Sequence, residues 1–151
     1  MIIYLAADHA GYVLKEQVKE NLLGRGFLVE DFGAQKLDEA DDYPDFVAPC
    51  VEHYIKRTNG DIGKGFAIVF GGSGTGEAIV ANRVRRARAM VFNGNMEVVR
   101  LAREHNDANI LSIGARFVDL EKTLEAIRIF FSTSFEAGRH ARRVRKIDML
   151  K

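Results

Sequence analysis

Phe70-Gly71-Gly72-Ser73-Gly74-Thr75-Gly76-Glu77 follows an apolar run, Phe66 to Phe70, and precedes a segment of helical character, Ala78 to Val84. A strand, a glycine turn and a helix in that order present backbone N–H groups to an anion at a helix N-terminus. The residues then narrow the anion. Gly71 and Gly76 have the spacing of a P-loop, but Glu77 stands where the phosphate-binding Lys belongs, and a carboxylate there repels a triphosphate. The dinucleotide fingerprint also fails, because Gly72-x-Gly74 is followed by Glu77 and not by glycine or alanine. What remains is a cradle for developing negative charge with an acid/base group built into it.

Outward from this turn, five short apolar runs recur: Ile2 to Ala6, Phe27 to Phe32, Phe66 to Phe70, Ala87 to Phe92 and Asn109 to Ile113. Segments of helical periodicity separate them: Val13 to Leu23, Phe46 to Ile55, Ala78 to Val84, Met96 to His105 and Leu120 to Phe131. This alternation predicts an α/β domain, a parallel sheet doubly wound with helices on both faces. Ligands in such sheets bind outside the carboxyl ends of the strands. Asp8, His9, the loop from Gly71 to Glu77, Asn93 and Gly114 to Arg116 are thereby expected on one rim. One further helix, Glu136 to Leu150, carries Arg139, Arg142, Arg143 and Lys146 on one side and Ala141, Val144 and Ile147 as an apolar stripe, and is expected to dock on a partner surface. Pro44 suits a first helical turn, whereas Pro49 is expected to kink or interrupt its segment.

The chain's 151 residues are 47% apolar and suit one domain spanning residues 1–151, with no linker or low-complexity stretch. A net charge of +1 argues against non-specific nucleic-acid binding. No apolar stretch approaches the length of a membrane span. The lone cysteine, Cys50, excludes an intrachain disulfide and reads as packing, and the apolar start is too short for a signal peptide. A cytoplasmic protein is expected. No His-Glu-x-x-His is present, and the acidic run Asp38, Glu39, Asp41, Asp42 lacks the spacing and glycine of a calcium loop. That run is read as a solvated loop, and no metal is expected.

Each candidate residue has a plain reading beside its chemical one. Glu77, with Gly74 as N-cap, takes the third helical position, where a carboxylate favours the dipole; it is equally placed as a general base beside oxyanion-stabilising amides. Asp8 can cap the first helix with His9 an exposed loop residue, and His105 can do no more than complement a helix C-terminus. Four cations on one side of a short helix repel unless an anion compensates, and a phosphate bound bidentately by Arg is the natural one.

The chain resembles the ribose 5-phosphate isomerase B family, which includes the galactose 6-phosphate isomerases. The resemblance runs nearly end to end: Ala7-Asp8-His9-Ala10-Gly11, Asp42-Tyr43-Pro44, Gly71 to Glu77, Ala81-Asn82-Arg83, Arg103 to Asn109, Gly114-Ala115-Arg116 and Gly138-Arg139-His140-x-x-Arg143. It implies a five-stranded Rossmann-like three-layer sandwich with an extra C-terminal helix. It implies a homodimer or tetramer with active sites between subunits, and aldose–ketose isomerisation of a sugar phosphate without a cofactor. Asp8 and His105 would assist opening of the furanose ring, and His9, Arg116, Arg139 and Arg143 would hold the phosphate. Asn106 would contact the sugar or enediolate. The amides of Gly72, Gly74, Thr75 and Gly76, helped by Ser73, would stabilise the enediolate oxygen, and Tyr43 would line the pocket. Many members carry a cysteine where Gly71 stands here, and this chain is similar to the subgroup with Gly-Gly-Ser-Gly and a glutamate base, which assigns proton transfer between C2 and C1 to Glu77. Asn93-Gly94-Asn95 is a second departure near the rim. Ribose 5-phosphate and ribulose 5-phosphate are the expected pair, with Asp8, His105 and the basic helix gathered on the rim of Glu77. The alternatives are a hexose 6-phosphate isomerase and a non-catalytic sugar-phosphate-binding module.

Overall fold

The structure is a computed structural model and describes residues 1–150. In chain order it comprises β1 (Ile2–Ala7), α1 (His9–Gly24), β2 (Leu28–Asp31), α2 (Pro44–Thr58), β3 (Gly65–Gly71), α3 (Thr75–Ala81), β4 (Ala89–Phe92), α4 (Met96–Asn106), β5 (Ile110–Gly114), α5 (Leu120–Ser132) and α6 (Gly138–Asp148). The five strands pair in parallel in the order β2-β1-β3-β5-β4. This is the Rossmann-like α/β sandwich with a helix appended after the fifth βα unit.

Strand alternation divides the interior into two cores. Ile3, Leu5, Phe66, Ile68, Phe70, Leu111 and Ile113 point to one face, where Val18, Leu22, Val99, Ala126 and Phe130 of α1, α4 and α5 cover them. Tyr4, Ala6, Ala67, Val69 and Ile110 point to the other, against Val47, Cys50, Val51 and Tyr54 of α2 and Ala81 of α3. β1, β3 and β5 are covered on both faces, which is why they read as continuous apolar runs. Fully burying one such side chain contributes roughly 1.5–3 kcal/mol.

That burial also explains a departure from expectation. The sequence predicts an interruption at Pro49, yet α2 runs unbroken from Pro44 to Thr58. Pro49 lies in the second turn, so its missing N–H orphans only the carbonyl of Asp45 near the exposed start. The helix beyond it buries Cys50, Val51 and Tyr54 completely, and this outweighs one lost hydrogen bond. Pro44 occupies the first helical position as expected.

Chain direction changes sides at β1, since β2 lies on one flank and β3 on the other. The crevice at such a switch point is the usual ligand position in open α/β sheets. Asp8 leaves the carboxyl end of β1 and the glycine turn leaves the carboxyl end of β3, so both open into it.

Candidate active site

The glycine turn is built for close approach. Gly74 caps α3 with φ +76°, a conformation that disfavours side chains, and a Cβ there would meet the Gly114 amide nitrogen at 3.0 Å. Ser112 Oγ donates to the Gly74 carbonyl at 2.6 Å, tying the turn to β5. The amides of Gly72, Ser73 and Gly74 donate to no protein acceptor among the described residues, and Ser73 Oγ accepts from the Thr75 amide at 3.2 Å. Donors without acceptors at a loop leading into a helix are the elements of an oxyanion site.

Glu77 takes the third position of α3, as the sequence indicates, and is 3% exposed. Burial raises its carboxyl pKa, its own backbone amide opposes that shift, and the nearby Asp8 adds to it. The result is a carboxylate more basic than an exposed one. Its position depends on Gly71, because a Cβ built on Gly71 would lie 1.8 Å from Glu77 Oε1 and 2.1 Å from Cδ. The carboxylate occupies the space that a side chain at position 71 would fill.

Around this centre the structure gathers four more of the expected residues. Asp8 caps α1, its Oδ1 accepting the amides of Ala10 at 3.0 Å and Gly11 at 3.2 Å. His9 opens α1 half-buried, where the sequence suggests an exposed loop, and its Nδ1 lies 2.7 Å from Asp41 Oδ1. Asp41 is therefore no part of a merely solvated loop. Tyr43 leans over the turn, since a Cβ built on Gly76 would lie 2.9 Å from its Oη. Arg116 donates its amide to the Gly72 carbonyl at 3.1 Å, and its guanidinium lies 3.0 Å from where a Gly72 Cβ would be. Asn95, near the same rim, caps α4 through the amides of Glu97 and Val98.

The remaining residues are elsewhere. His105, Asn106, Arg139 and Arg143 do not join the rim of Glu77 within one chain. α4 leaves the carboxyl end of β4 and runs back across the sheet, so its last turn arrives at the amino ends of the strands, just before Ile110. There the His105 and His140 rings stack with centroids 4.3 Å apart and planes 4° from parallel. α6 continues along this edge, with Asp148 bound to Arg88 Nη1 at 3.3 Å and Arg85 Nε donating to its carbonyl at 3.2 Å. Of the apolar stripe on α6, Val144 is buried against its own chain, whereas Ile147 is 45% exposed. Arg139, Arg142 and Arg143 are exposed and form no ion pair among the described residues. Burial and the neighbouring cations lower the His140 pKa, which suits its acceptance of a hydrogen bond from Arg139 Nε at 3.3 Å.

Two clusters bring three potential ligand atoms within 4.8 Å of one another: His105, Glu136 and His140, and Asp8, His9 and Asp41. In the first, parallel rings aim their nitrogen lone pairs side by side and not at a shared point, a poor arrangement for tetrahedral coordination. In the second, all three are already engaged, Asp8 in the α1 cap and His9 and Asp41 with each other. Cys50 is fully buried and its thiol pKa is pushed up by burial, the behaviour of a packing residue.

Sequence reasoning missed Asp41 and His140. Asp41 hid in an acidic loop without periodicity, and His140 is recognisable only once α6 is laid on α4.

Comparison with known proteins bears on the family and the fold. The sequence profile described as Ribose/Galactose Isomerase matches residues 3–147. A ribose-5-phosphate isomerase B of Mycobacterium leprae is 43% identical over 145 residues, covering 95% of this chain and 86% of the relative. The crystal structure of a ribose 5-phosphate isomerase from Thermotoga maritima superposes with TM-score 0.89 at 40% identity, covering 99% of this chain and 98% of that one. The ribose-5-phosphate isomerase B of Mycoplasma genitalium, solved with bound ribulose-5-phosphate, superposes with TM-score 0.89 at 35% identity, covering 97% and 93%. Fold, loop and comparisons converge: the chain belongs to the ribose/galactose isomerase family, that of the type B ribose 5-phosphate isomerases.

Proposed function

We propose that this protein interconverts ribose 5-phosphate and ribulose 5-phosphate through a cis-enediolate, with Glu77 as the general base. The observation that carries the reading is a buried carboxylate of raised pKa packed against Gly71, where a loop with unengaged amides begins. Glu77 takes the proton from C2 of the open-chain aldose, the C2–H electron pair becomes the C1–C2 double bond, and negative charge develops on O1. The amides of Gly72, Ser73, Gly74, Thr75 and Gly76, with the Ser73 hydroxyl, face that charge. Return of the proton from Glu77 to C1, with transfer of the O2 proton to O1, yields the ketose. Asp8, at the same rim, assists ring opening.

The other half of the site comes from a second copy. Arg139, Arg143, His105 and Asn106 lie on the amino edge, and a homodimer that sets this edge over the Glu77 rim of its partner joins both sets. His9 and Arg116 then meet the phosphate from one subunit, and Arg139 and Arg143 from the other. Among the described residues no helix is long and apolar enough to cross a membrane. A cytoplasmic location fits the reading, since the single buried cysteine requires no oxidising compartment.

The test is isomerisation of ribose 5-phosphate in deuterated water. Turnover with deuterium at C2 of recovered aldose or C1 of ketose supports the reading, whereas ligand-induced stabilisation with no exchange would leave a sugar-phosphate-binding module. Comparing kcat/KM with allose 6-phosphate and galactose 6-phosphate decides the chain length of the preferred sugar.

A further inference from the structure

We propose that Asp41 is a positioning residue for the phosphate end of the site, holding the His9 ring through Nδ1 in one orientation that presents a protonated Nε2 to an anion. The inference rests on the reading of His9 as a phosphate ligand. It begins in the loop between β2 and α2. Asp38 Oδ1 accepts the Ala40 amide at 3.1 Å and its carbonyl accepts the Asp41 amide at 3.1 Å, so a local turn delivers Asp41 to the start of α1. Asp41 Oδ1 then accepts twice from the same residue: the His9 backbone N–H at 3.0 Å and ring Nδ1 at 2.7 Å. A carboxylate can only accept here, so Nδ1 carries the proton and Nε2 is left for the rim.

The burial of the pair is unequal in a useful way. The Asp41 side chain is 8% exposed and that of His9 31% exposed. Asp41 Oδ2 is buried with no hydrogen-bond partner, and His9 is the one side chain with which Asp41 pairs among the described residues. A buried carboxylate with one basic partner favours that partner's cationic form. The charged groups facing His9 are Asp41 from the loop, Asp8 from the end of β1, and Arg116 from the turn after β5. The bond to Asp41 raises the His9 pKa most, Asp8 adds to the rise, and Arg116 opposes it. An imidazolium between Asp41 and the bound phosphate attracts the anion without asking Arg116 to do so alone.

Asp41→Asn tests this because Asn keeps an acceptor oxygen for both His9 donors and removes only the charge. Histidine-labelled protein, with His9 assigned by His9→Asn, is titrated by NMR without substrate. The His9 midpoint is expected to fall by about one pH unit or more, the scale of losing an adjacent opposite charge, and Asp41→Glu is expected to recover part of the shift. In parallel, inorganic phosphate is used as a competitive inhibitor across the same pH range. Its inhibition constant and the KM for ribose 5-phosphate are expected to rise several-fold above the new midpoint and to match the parent below it, with kcat moving less than KM. An unmoved His9 midpoint overturns the proposal, and so does a weakening of phosphate that is equal at every pH. A shifted midpoint with unchanged phosphate affinity overturns it too. The NMR arm needs no turnover, so loss of the isomerase reading and loss of the Asp41–His9 coupling are separate results.

Discussion

The two edges of the sheet carry the same kind of chemistry in opposite states of completion. At the carboxyl edge Asp8, His9, Tyr43, Glu77 and Arg116 are locked together by cap bonds, an ion pair and ring-to-backbone contact. At the amino edge the stacked His105 and His140 rings each lie 3.9 Å from a Glu136 oxygen, and Arg139, Arg142 and Arg143 of α6 are exposed with no ion-pair partner among the described residues. The first edge holds a buried carboxylate with a single guanidinium near it, and the second gathers several exposed guanidiniums. A parallel sheet keeps its own two edges apart, so under the proposed dimer the complement of each is found on another copy.

Breaking the carboxyl edge has the largest expected effect. Glu77→Gln should lower kcat by about 10²–10³ or more, the scale of losing a general base or an oxyanion donor, with no label entering C1 or C2 in deuterated water. Turnover within a few-fold of the parent would remove Glu77 from the chemistry. Gly71→Ala attacks the same carboxylate without touching it. Gly71 lies in β3 with ordinary strand backbone, so the added methyl acts through its clash with Glu77. A displaced base should lower kcat by up to about 10², while far-UV circular dichroism stays that of the parent.

On the amino edge, Arg143→Ala should raise KM by about tenfold or more with a smaller change in kcat, as for a lost hydrogen bond to a charged group. The comparison sharpens when the two damaged edges are combined. A one-to-one mixture of Glu77→Gln and Arg143→Ala, unfolded and refolded together, yields mixed dimers in which one site has both lesions and the other none. Activity at low substrate should recover to about a quarter of the parent, because half the dimers are mixed and each has one intact site. No recovery would place both residues in the same subunit's site.

The smallest effect is on stability. A carboxyl whose pKa is raised in the fold is disfavoured there as the anion, so ionising it above its unfolded value of about 4.3 drains stability. Glu77→Gln should therefore melt higher than the parent at pH 8, by roughly 2–4 °C for each kcal/mol recovered. The gain should vanish near pH 3, about a unit below the unfolded value, where the parent carboxyl is protonated in both states. An inactive variant that is also more stable is the mark of a group retained for chemistry.

The carboxyl edge was largely legible in the sequence, and the amino edge was not. Strand, glycine turn and Glu77 are contiguous, so local rules placed this carboxylate at the third position of α3. Asp8 and Arg116 followed because each comes immediately after a strand. His105 comes at the end of a helix, and a helix after a parallel strand travels back, which sends its last residue to the far edge. Grouping His105 with Glu77 overlooked that return path. Pro49 misled because its local penalty is small beside the burial of Cys50, Val51 and Tyr54, which only the assembled sheet supplies. Asp41 and His140 act through partners 32 residues away in one case and on a neighbouring helix in the other.

The missing side chain at Gly71 bears on descent. A chain with a thiol at position 71 and no carboxylate at position 77 would stand two substitutions from this one, and neither change is comfortable first. A thiol added at 71 strikes the carboxylate, and the carboxylate removed first leaves no base. Intermediates between the two arrangements are crowded or inert, so lineages should separate into two groups with few mixed forms between them.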